Sequence, residues 1–156
     1  GGSEVVSLVK RLTEIGIPVM GHLGLLPQRV HQTGGYKIQA RTRDEAERLR
    51  DIALSLQDAG AFSIVLEEIP MEAGRMITEA LKIPTIGIGA GPFTDGQVLV
   101  FHDVLGLLEE FKPKFVKRYL EGERIIKDAL ITFRKEIEER KFPGREHSFS
   151  WEDFEG

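Results

Sequence analysis

The chain of 156 residues contains no cysteine. Disulfide bonds, thiolate metal sites and cysteine nucleophiles are therefore excluded within it, and any nucleophile or metal ligand must be an oxygen or an imidazole. The chain also lacks an apolar run near the roughly 20 residues that cross a bilayer, and its first residues are not a basic segment followed by an apolar one. We expect a soluble, cytoplasmic protein with no membrane partner.

Neither sign of charge dominates. The chain has 21 Lys and Arg against 25 Asp and Glu, for a formal net charge of −4. The two signs are mixed along the sequence, so the charge pattern does not predict a nucleic-acid surface. Hydrophobic residues make up 41% of the chain, which is enough for one sizeable core at this length. We therefore expect one domain, or part of one.

Helix-like and strand-like segments alternate over the first two thirds of the chain. The predicted strands are 17–20, 62–66, 85–88 and 97–101, and the predicted helices are 3–15, 42–59 and 71–81. Ser3 is expected to cap the first helix, and Thr42 and Glu45 form a capping box for the second. Repeated βα units of this kind predict a parallel sheet covered by helices.

The C-terminal part has a different character. Charged residues dominate from 114 to 141, but an apolar stripe at helical spacing predicts helices that pack on something. Residues 143–156 lack that periodicity. We interpret them either as an arm that lies on a neighbouring subunit or as a frayed terminus.

Two acidic residues follow the second predicted strand. Glu67 ends its apolar run, and the carboxyl end of a parallel sheet is where α/β proteins place functional groups. There Glu67 would suit a general base that removes a proton beside a carbonyl group, or it would form a salt bridge at the sheet edge. Glu68 is expected to point the opposite way, because strand side chains alternate, and to be solvated or paired.

His22 follows the first predicted strand, where its imidazole could hydrogen-bond a substrate carboxylate or carbonyl oxygen. A structural histidine is an equal alternative. The glycine run at 86–91 would let backbone N–H groups approach a ligand. It does not open a helix, because Pro92 interrupts it and another strand is predicted soon after, so a nicotinamide or flavin cofactor is disfavoured.

Four further residues have two interpretations each. His102 and Asp103 close the fourth predicted strand, where they would bind a ligand, or Asp103 would cap a helix that begins near 104. Lys37 and Gln39 follow a Gly–Gly turn at 34–35, on a loop that either covers the mouth of the sheet or is simply exposed.

Several segments form a joint pattern by their order and spacing: GHLGLLPQ at 21–28, GGYK at 34–37, VLEEIP at 65–70, IPTIGIGAG at 83–91, TDGQVLVFHD at 94–103 and PGREHSF at 143–149. Taken together, these segments resemble the ketopantoate hydroxymethyltransferase family. The resemblance implies a (β/α)8 TIM barrel of the phosphoenolpyruvate/pyruvate type. Residues 1–113 would supply its second half, four βα units, and residues 114–156 would be C-terminal helices and an arm of the same domain.

The resemblance also implies an activity: transfer of a hydroxymethyl group from 5,10-methylenetetrahydrofolate to 3-methyl-2-oxobutanoate, which gives 2-dehydropantoate. Mg²⁺ or another divalent ion would bind the keto acid and stabilise its enolate. Glu67 would be the base that takes the C3 proton, and His22 would help to hold the substrate. A homo-oligomer, commonly a decamer, is implied as well.

One departure from the family pattern concerns the metal. Gly1 and Gly2 look like the glycines that follow a family strand ending in Lys-x-Glu, so the family's metal ligands and substrate lysine would precede them and none would lie in this chain. Four parallel strands cannot close a barrel. We therefore expect the fragment alone to be inactive, whether it is cut from a longer chain or pairs with a separate N-terminal half.

Two other functions remain as alternatives. One is another lyase or mutase of the same barrel type that acts on a 2-oxo acid through a metal enolate. The other is a half-barrel interaction module without activity.

Overall fold

The computed structural model describes residues 1–29, 37–108 and 113–154. Its helices are α1 (Val6–Glu14), α2 (Arg43–Asp58), α3 (Met71–Ala80), α4 (Phe101–Leu105) and α5 (Gly122–Glu138), and its strands are β1 (Met20–Gly24), β2 (Ser63–Glu67), β3 (Thr85–Ile88) and β4 (Gly96–Gln97). Short 3-10 helices span Ser3–Val5, Pro27–Arg29, Arg145–His147 and Trp151–Phe154.

The four strands form one parallel sheet in the order β1-β2-β3-β4. Gly24 of β1 lies opposite Glu67 of β2, and Glu67 lies opposite Ile88 of β3. Because the strands are parallel, these three residues, the last of their strands, lie at the same end of the sheet. We call this end, where the carboxyl ends of the strands meet, the carboxyl edge. The predicted α/β architecture with a parallel sheet is confirmed.

The hydrophobic core lies between the sheet and the helices. Leu56 of α2, Ile64 and Leu66 of β2 and Ile77 of α3 are fully buried. Burial of each such side chain contributes about 1.5–3 kcal/mol. Side chains alternate along a strand, so Val65, which lies between Ile64 and Leu66, faces the opposite side of the sheet. Val65 is only half-buried.

The long helix α2 begins as its sequence predicts. The Thr42 hydroxyl accepts a hydrogen bond from the Glu45 backbone N–H at 3.3 Å, and the Glu45 carboxylate accepts one from the Thr42 N–H at 3.1 Å. This reciprocal capping box satisfies two N–H groups at the helix start. The cap predicted for α1 is wrong, because the preceding 3-10 turn starts at Ser3 and Gly2 is its N-cap residue, without a side-chain hydrogen bond.

The first and last strands differ from the prediction. β1 begins at Met20 instead of 17, so His22 lies inside the strand. β4 has only two residues, and Phe101, predicted to end it, begins α4. Asp103 lies in the first turn of α4, whose N-cap is Val100, so the predicted cap at Asp103 is wrong. A short apolar run such as 98–101 does not by itself distinguish a strand from a helix.

The chain divides into two compact units. The first comprises Gly1–Leu99 with Lys114–Val116, and it contains the sheet and helices α1 to α3. The second comprises Val100–Pro113 with Lys117–Gly156 and contains α4 and α5. Within the second unit, the Glu123 N–H donates to the Gly106 carbonyl at 2.9 Å, which ties the start of α5 to the end of α4.

Helix α5 confirms the helical stripe predicted in the C-terminal part, although the helix is shorter than that segment. Its apolar side chains are exposed; they include Ile125, Ile126, Leu130, Phe133 and Ile137. Across the described ranges, none of the helices has the length and apolar character that a membrane span requires.

Candidate active site

The imidazole of His22 and the carboxylate of Glu67 meet at the carboxyl edge of the sheet. His22 Nε2 lies 2.8 Å from Glu67 Oε2. Glu67 is opposite Gly24 in register, two residues after His22, so both side chains are on the same face of adjacent strands. The Glu67 side chain is 14% exposed and that of His22 is 33% exposed. The pair is therefore sheltered but still open to a small molecule.

A glycine in β1 lets the chain pass close over the end of β2. Gly24 has φ +91°, and a Cβ at this position would lie 2.1 Å from the Glu67 carbonyl oxygen. The same oxygen accepts a hydrogen bond from the Leu25 N–H at 2.8 Å. The end of β2 is thus fixed against β1 by a contact that only glycine permits.

Glu68 does not continue the strand. Its φ is +46°, a left-handed conformation that is uncommon for a residue with a side chain. Its N–H donates to the Ile88 carbonyl and its carbonyl accepts from the Gln39 N–H, each at 2.9 Å. The predicted alternation therefore stops at Glu67, and the position of Glu68 is set by hydrogen bonds from two other segments.

The Glu68 side chain is half-buried near the end of β3. Its Cγ lies 3.5 Å from the place where a Cβ on Gly89 would be. Burial, and to a smaller extent the negative charge of Glu67, raises the pKa of the Glu68 carboxyl above its ordinary value. The pattern predicts a solvated or paired Glu68 on the side opposite to Glu67; in the structure its side chain is half-buried, because the chain turns toward β3 after β2 ends.

Phe115 contributes to the same edge, which the sequence pattern does not predict. A Cβ on Gly89, which has φ +66°, would lie 3.0 Å from the Phe115 ring. Gly91, at φ +80°, similarly faces Met71. Phe115 belongs to the apolar stripe assigned to C-terminal helices. Its contact joins residues 26 positions apart along the chain, so no local pattern predicts it.

The remaining candidates lie on other segments. Gln39 is tied to the end of β2 through Glu68, and its side-chain amide donates to the Lys37 carbonyl at 2.6 Å. The glycine turn at 34–35 lies outside the described residues. His102 and Asp103 lie in α4, which belongs to the second unit.

The short contact between His22 and Glu67 defines what the pair can do. With its Nε2 protonated, the imidazole donates to Oε2 of Glu67, which orients the carboxylate and leaves Oε1 available to accept a proton. The other ring nitrogen, Nδ1, then accepts hydrogen bonds, or donates one when the ring is protonated. A carboxylate held this way, at a position that is mostly shielded from water, is suited to proton transfer.

The residues present do not make a metal centre by themselves. No cluster of three or more His, Asp or Glu side chains able to hold an ion occurs in residues 1–29, 37–108 and 113–154. His22 and Glu67 supply two donors, and they are already engaged with each other. The described donor set therefore does not fit the divalent ion that the resemblance implies.

Comparison with known proteins identifies the family to which the chain belongs. The family profile described as ketopantoate hydroxymethyltransferase matches residues 1–145, which include both members of the pair. The chain belongs to the ketopantoate hydroxymethyltransferase family. The predicted resemblance is therefore confirmed. The observed parallel sheet agrees with half of the TIM-type barrel of this family.

Curated relatives from several bacteria bear the name 3-methyl-2-oxobutanoate hydroxymethyltransferase. A relative from Thermus thermophilus is 54% identical over 149 residues, which are 96% of this chain and 57% of the relative. The one from Trichlorobacter lovleyi is 54% identical over 96% of this chain and 56% of its own length. The one from Syntrophobacter fumaroxidans is 54% identical over 99% and 55%, respectively.

The chain thus spans little more than half the length of these ketopantoate hydroxymethyltransferase relatives. It contains a carboxyl edge with a sheltered His–Glu pair, and the family match covers both residues.

Proposed function

We propose that the protein containing this chain transfers a hydroxymethyl group from 5,10-methylenetetrahydrofolate to 3-methyl-2-oxobutanoate and so forms 2-dehydropantoate. The name of the relatives, 3-methyl-2-oxobutanoate hydroxymethyltransferase, supports the acceptor and the group that is transferred. The observation that carries the proposal is the pair of His22 and Glu67, joined at 2.8 Å at the carboxyl edge of a parallel sheet. That edge is where enzymes of this architecture bind small molecules.

Glu67 acts as the general base in this proposal. Its Oε1 accepts the proton from C3 of the keto acid, the C3–H bond breaks, and the electron pair delocalises onto the neighbouring carbonyl as an enolate. Water adds to the one-carbon unit of the donor while both of its C–N bonds to the folate break, which releases tetrahydrofolate, protonated on its nitrogens, and a formaldehyde equivalent. C3 of the enolate then forms a C–C bond to that carbon, and the oxygen from water takes up a proton to become the hydroxyl group of the product. The low exposure of Glu67 supports this role, because limited access of water keeps the carboxylate available for the substrate.

His22 has two tasks that the geometry supports. Through Nε2 it orients the carboxylate of Glu67. Its ring is one-third exposed, so Nδ1 is available to hydrogen-bond an oxygen of the keto acid. We therefore propose that His22 positions the base and helps to hold the substrate.

The divalent ion implied by the family resemblance, Mg²⁺ or another, would need ligands other than the described residues. No step of the proposed reaction is assigned to it. The one-carbon donor is proposed from the reaction that the family name describes.

Proton exchange at C3 tests the proposed base. In a protein of the family's full length that contains this chain, 3-methyl-2-oxobutanoate in heavy water should lose its C3 proton signal in the NMR spectrum. Glu67→Gln should slow this exchange by at least about 100-fold, because general-base catalysis contributes on the order of 10²–10⁴ in rate. Binding of the keto acid, measured by calorimetry, should persist.

Two controls complete this experiment. Glu79→Gln removes an exposed carboxylate from α3 and should leave exchange unchanged. Formation of 2-dehydropantoate should require 5,10-methylenetetrahydrofolate. Unchanged exchange in Glu67→Gln would remove Glu67 from the base role, and exchange without folate-dependent product would point to a lyase or mutase instead.

We further propose that the full-length protein is a homo-oligomer, for which a decamer is the family expectation. The exposed apolar residues of α5 support assembly, because large apolar patches on a protein surface commonly mark interfaces. Light scattering of the full-length protein tests this, and a monomeric mass would contradict it. The cytoplasmic location stays a prediction.

A further inference from the structure

The second unit has an apolar groove along one side of α5, which we call the α5 groove. Its apolar lining consists of Leu107, Ile126, Leu130 and Ile131. The groove has a volume of about 630 Å³, which is in the range of cavities that take up drug-sized molecules. Leu130, Ile126 and Ile131 are exposed, so this apolar surface is in contact with water unless a partner covers it.

Three charged side chains also line the α5 groove. Lys127 and Arg134 are basic, and Arg134 has only an exposed ion pair with Glu138, at 3.5 Å. Glu123 is acidic, and its Oε2 atom is buried without a hydrogen-bond partner among the residues that the structure describes. An unsatisfied buried acceptor costs free energy, so a ligand that donates a hydrogen bond there is favoured. The groove therefore suits an apolar segment that carries negative charge and a hydrogen-bond donor.

A segment with this chemistry lies in the same unit, at residues 149–154, and we call it the aromatic segment. Phe149, Trp151 and Phe154 are 87%, 89% and 73% exposed, and the ring centroids of Phe149 and Phe154 are 6.2 Å apart. Glu152 and Asp153 give the segment two negative charges, and it has no basic residue. The indole N–H of Trp151 is a hydrogen-bond donor.

Local contacts fix the shape of the aromatic segment. Its residues Trp151–Phe154 form a 3-10 helix, and the Asp153 carboxylate accepts a hydrogen bond from the Ser150 N–H at 2.7 Å. Glu152 lies 3.8 Å from Arg145 in an exposed ion pair, which contributes little. Because the segment is already folded, its binding costs less conformational entropy than the binding of a disordered tail.

We propose that the aromatic segment of one copy of the protein binds in the α5 groove of a second copy. The rings cover the apolar lining of the groove, the two acidic residues lie near Lys127 and Arg134, and the Trp151 N–H donates to Glu123. This inference rests on the proposed homo-oligomer, of which it names one contact, and it does not depend on the proposed reaction.

The structure favours a second copy as the partner. The three aromatic rings are almost wholly exposed, so they do not fill the groove of their own chain. Each copy carries both a groove and a segment, so two copies can exchange segments and bury both grooves at once, as in an isologous interface. Large aromatic side chains at the centre of a contact, with charged groups of opposite sign around them, are typical of residues that dominate binding.

Disulfide linking between copies tests the proposal. The chain has no cysteine, so introduced thiols report on chosen positions once any cysteine elsewhere in the full-length protein is replaced by serine. Copies with Leu130→Cys and differently tagged copies with Ser150→Cys are mixed, allowed to exchange subunits and oxidised. The linked pair should form at least about 10-fold faster than with a control position, because docking raises the local concentration of the two thiols.

Ile125→Cys provides the matched control position. Ile125 is an exposed apolar residue on α5, as Leu130 is, but it does not line the groove. Leu130, Ile125 and Ser150 are all exposed, so these substitutions should leave the fold intact.

Trp151 should dominate the contact. In the Ser150→Cys copy, Trp151→Ala should slow linking to Leu130→Cys by at least about 10-fold, because truncated aromatic anchors cause the largest losses of interface affinity. Trp151→Phe keeps a ring but removes the N–H, so its rate should lie in between. Tyr119→Ala removes an exposed aromatic ring outside the segment and should leave the rate unchanged.

The outcomes separate this inference from the proposed assembly. Fast linking at Leu130 but not at Ile125, lost in Trp151→Ala, supports the inference. If the protein is an oligomer but links equally at both positions or at neither, the inference is overturned and the proposed assembly stands. Linking only within one copy that carries both thiols would make the chain's own segment the occupant and overturn the inference too. A monomeric protein would contradict both proposals.

Discussion

The two long helices of the chain have similar apolar patterns and opposite surroundings. In α2 of the first unit, Leu56 is 0% exposed and packs in the core between helices and sheet. In α5 of the second unit, Leu130 is 62% exposed. An amphipathic sequence therefore specifies that a helix forms with an apolar stripe, but it does not specify what covers that stripe.

The N-terminal ends of the two helices also differ, in their capping hydrogen bonds. Helix α2 starts at a complete capping box, whereas Glu121, the N-cap residue of α5, makes no side-chain capping hydrogen bond. The first unit is thus stabilised both by local contacts and by tertiary packing. Four substitutions, two of them with a matched control, test how far this contrast extends. Each is measured by urea unfolding of the full-length protein at a fixed concentration.

The largest effect is expected from Leu56→Ala. Truncation of a fully buried leucine removes apolar contacts and leaves a cavity, so the free energy of unfolding should fall by about 3–5 kcal/mol. A loss below about 1 kcal/mol would contradict the assignment of Leu56 to the core.

Gly24→Ala should follow, with a loss of about 2 kcal/mol or more. The new methyl group would overlap the Glu67 carbonyl oxygen, in addition to the strain of a positive φ. Gly16→Ala is the matched control, because Gly16 also has a positive φ, +84°, but nothing lies within 4 Å of its Cβ position. Equal losses at both positions would show that the close approach at Gly24 is unimportant for stability.

Thr42→Ala should lower the free energy of unfolding by about 1 kcal/mol, since it removes the side-chain half of the capping box. Glu121→Ala, at the corresponding position of α5, removes no capping hydrogen bond and should change stability by only a few tenths of a kcal/mol, as is usual at an exposed site. A loss of similar size for both substitutions would show that α2 and α5 do not differ in N-terminal capping.

The smallest effect is expected from Leu130→Ala at a concentration below that at which the full-length protein assembles. There it should change the free energy of unfolding by less than about 0.5 kcal/mol, because the side chain is exposed in the described chain. A loss of more than about 2 kcal/mol would have a clear meaning. It would show that another surface covers α5 in the full-length protein. Both helices would then have a buried apolar face, and they would differ only in what buries it.

Much of the first unit could be predicted from local sequence. The continuous apolar run that ends at Glu67 predicted β2 to within one residue at each end, because a strand inside a parallel sheet is apolar along its length. The capping box at Thr42 and Glu45 was predictable because both of its hydrogen bonds join residues three apart. The start of helix α4 was predicted near 104 and lies at Phe101, because the four apolar residues at 98–101 do not define a period.

The candidate site was predictable only in part. Both Glu67 and His22 could be placed near one edge, because each follows or lies in an apolar run. Their contact at 2.8 Å depends on the register between β1 and β2, which no local pattern contains. The direction of Glu68 depends on hydrogen bonds to Ile88 and Gln39, which lie 20 and 29 residues away along the chain.

The sequence by itself determined the types of the elements from α1 to β3, the start of α2, the strand that carries Glu67 and, through its joint motifs, the family. These follow from residues close together in the chain, or from their order along it. The tertiary structure decided that His22 pairs with Glu67, that Glu68 turns toward β3 and that Phe115 covers Gly89. Those contacts join distant segments, and their geometry is set by strand register and close packing.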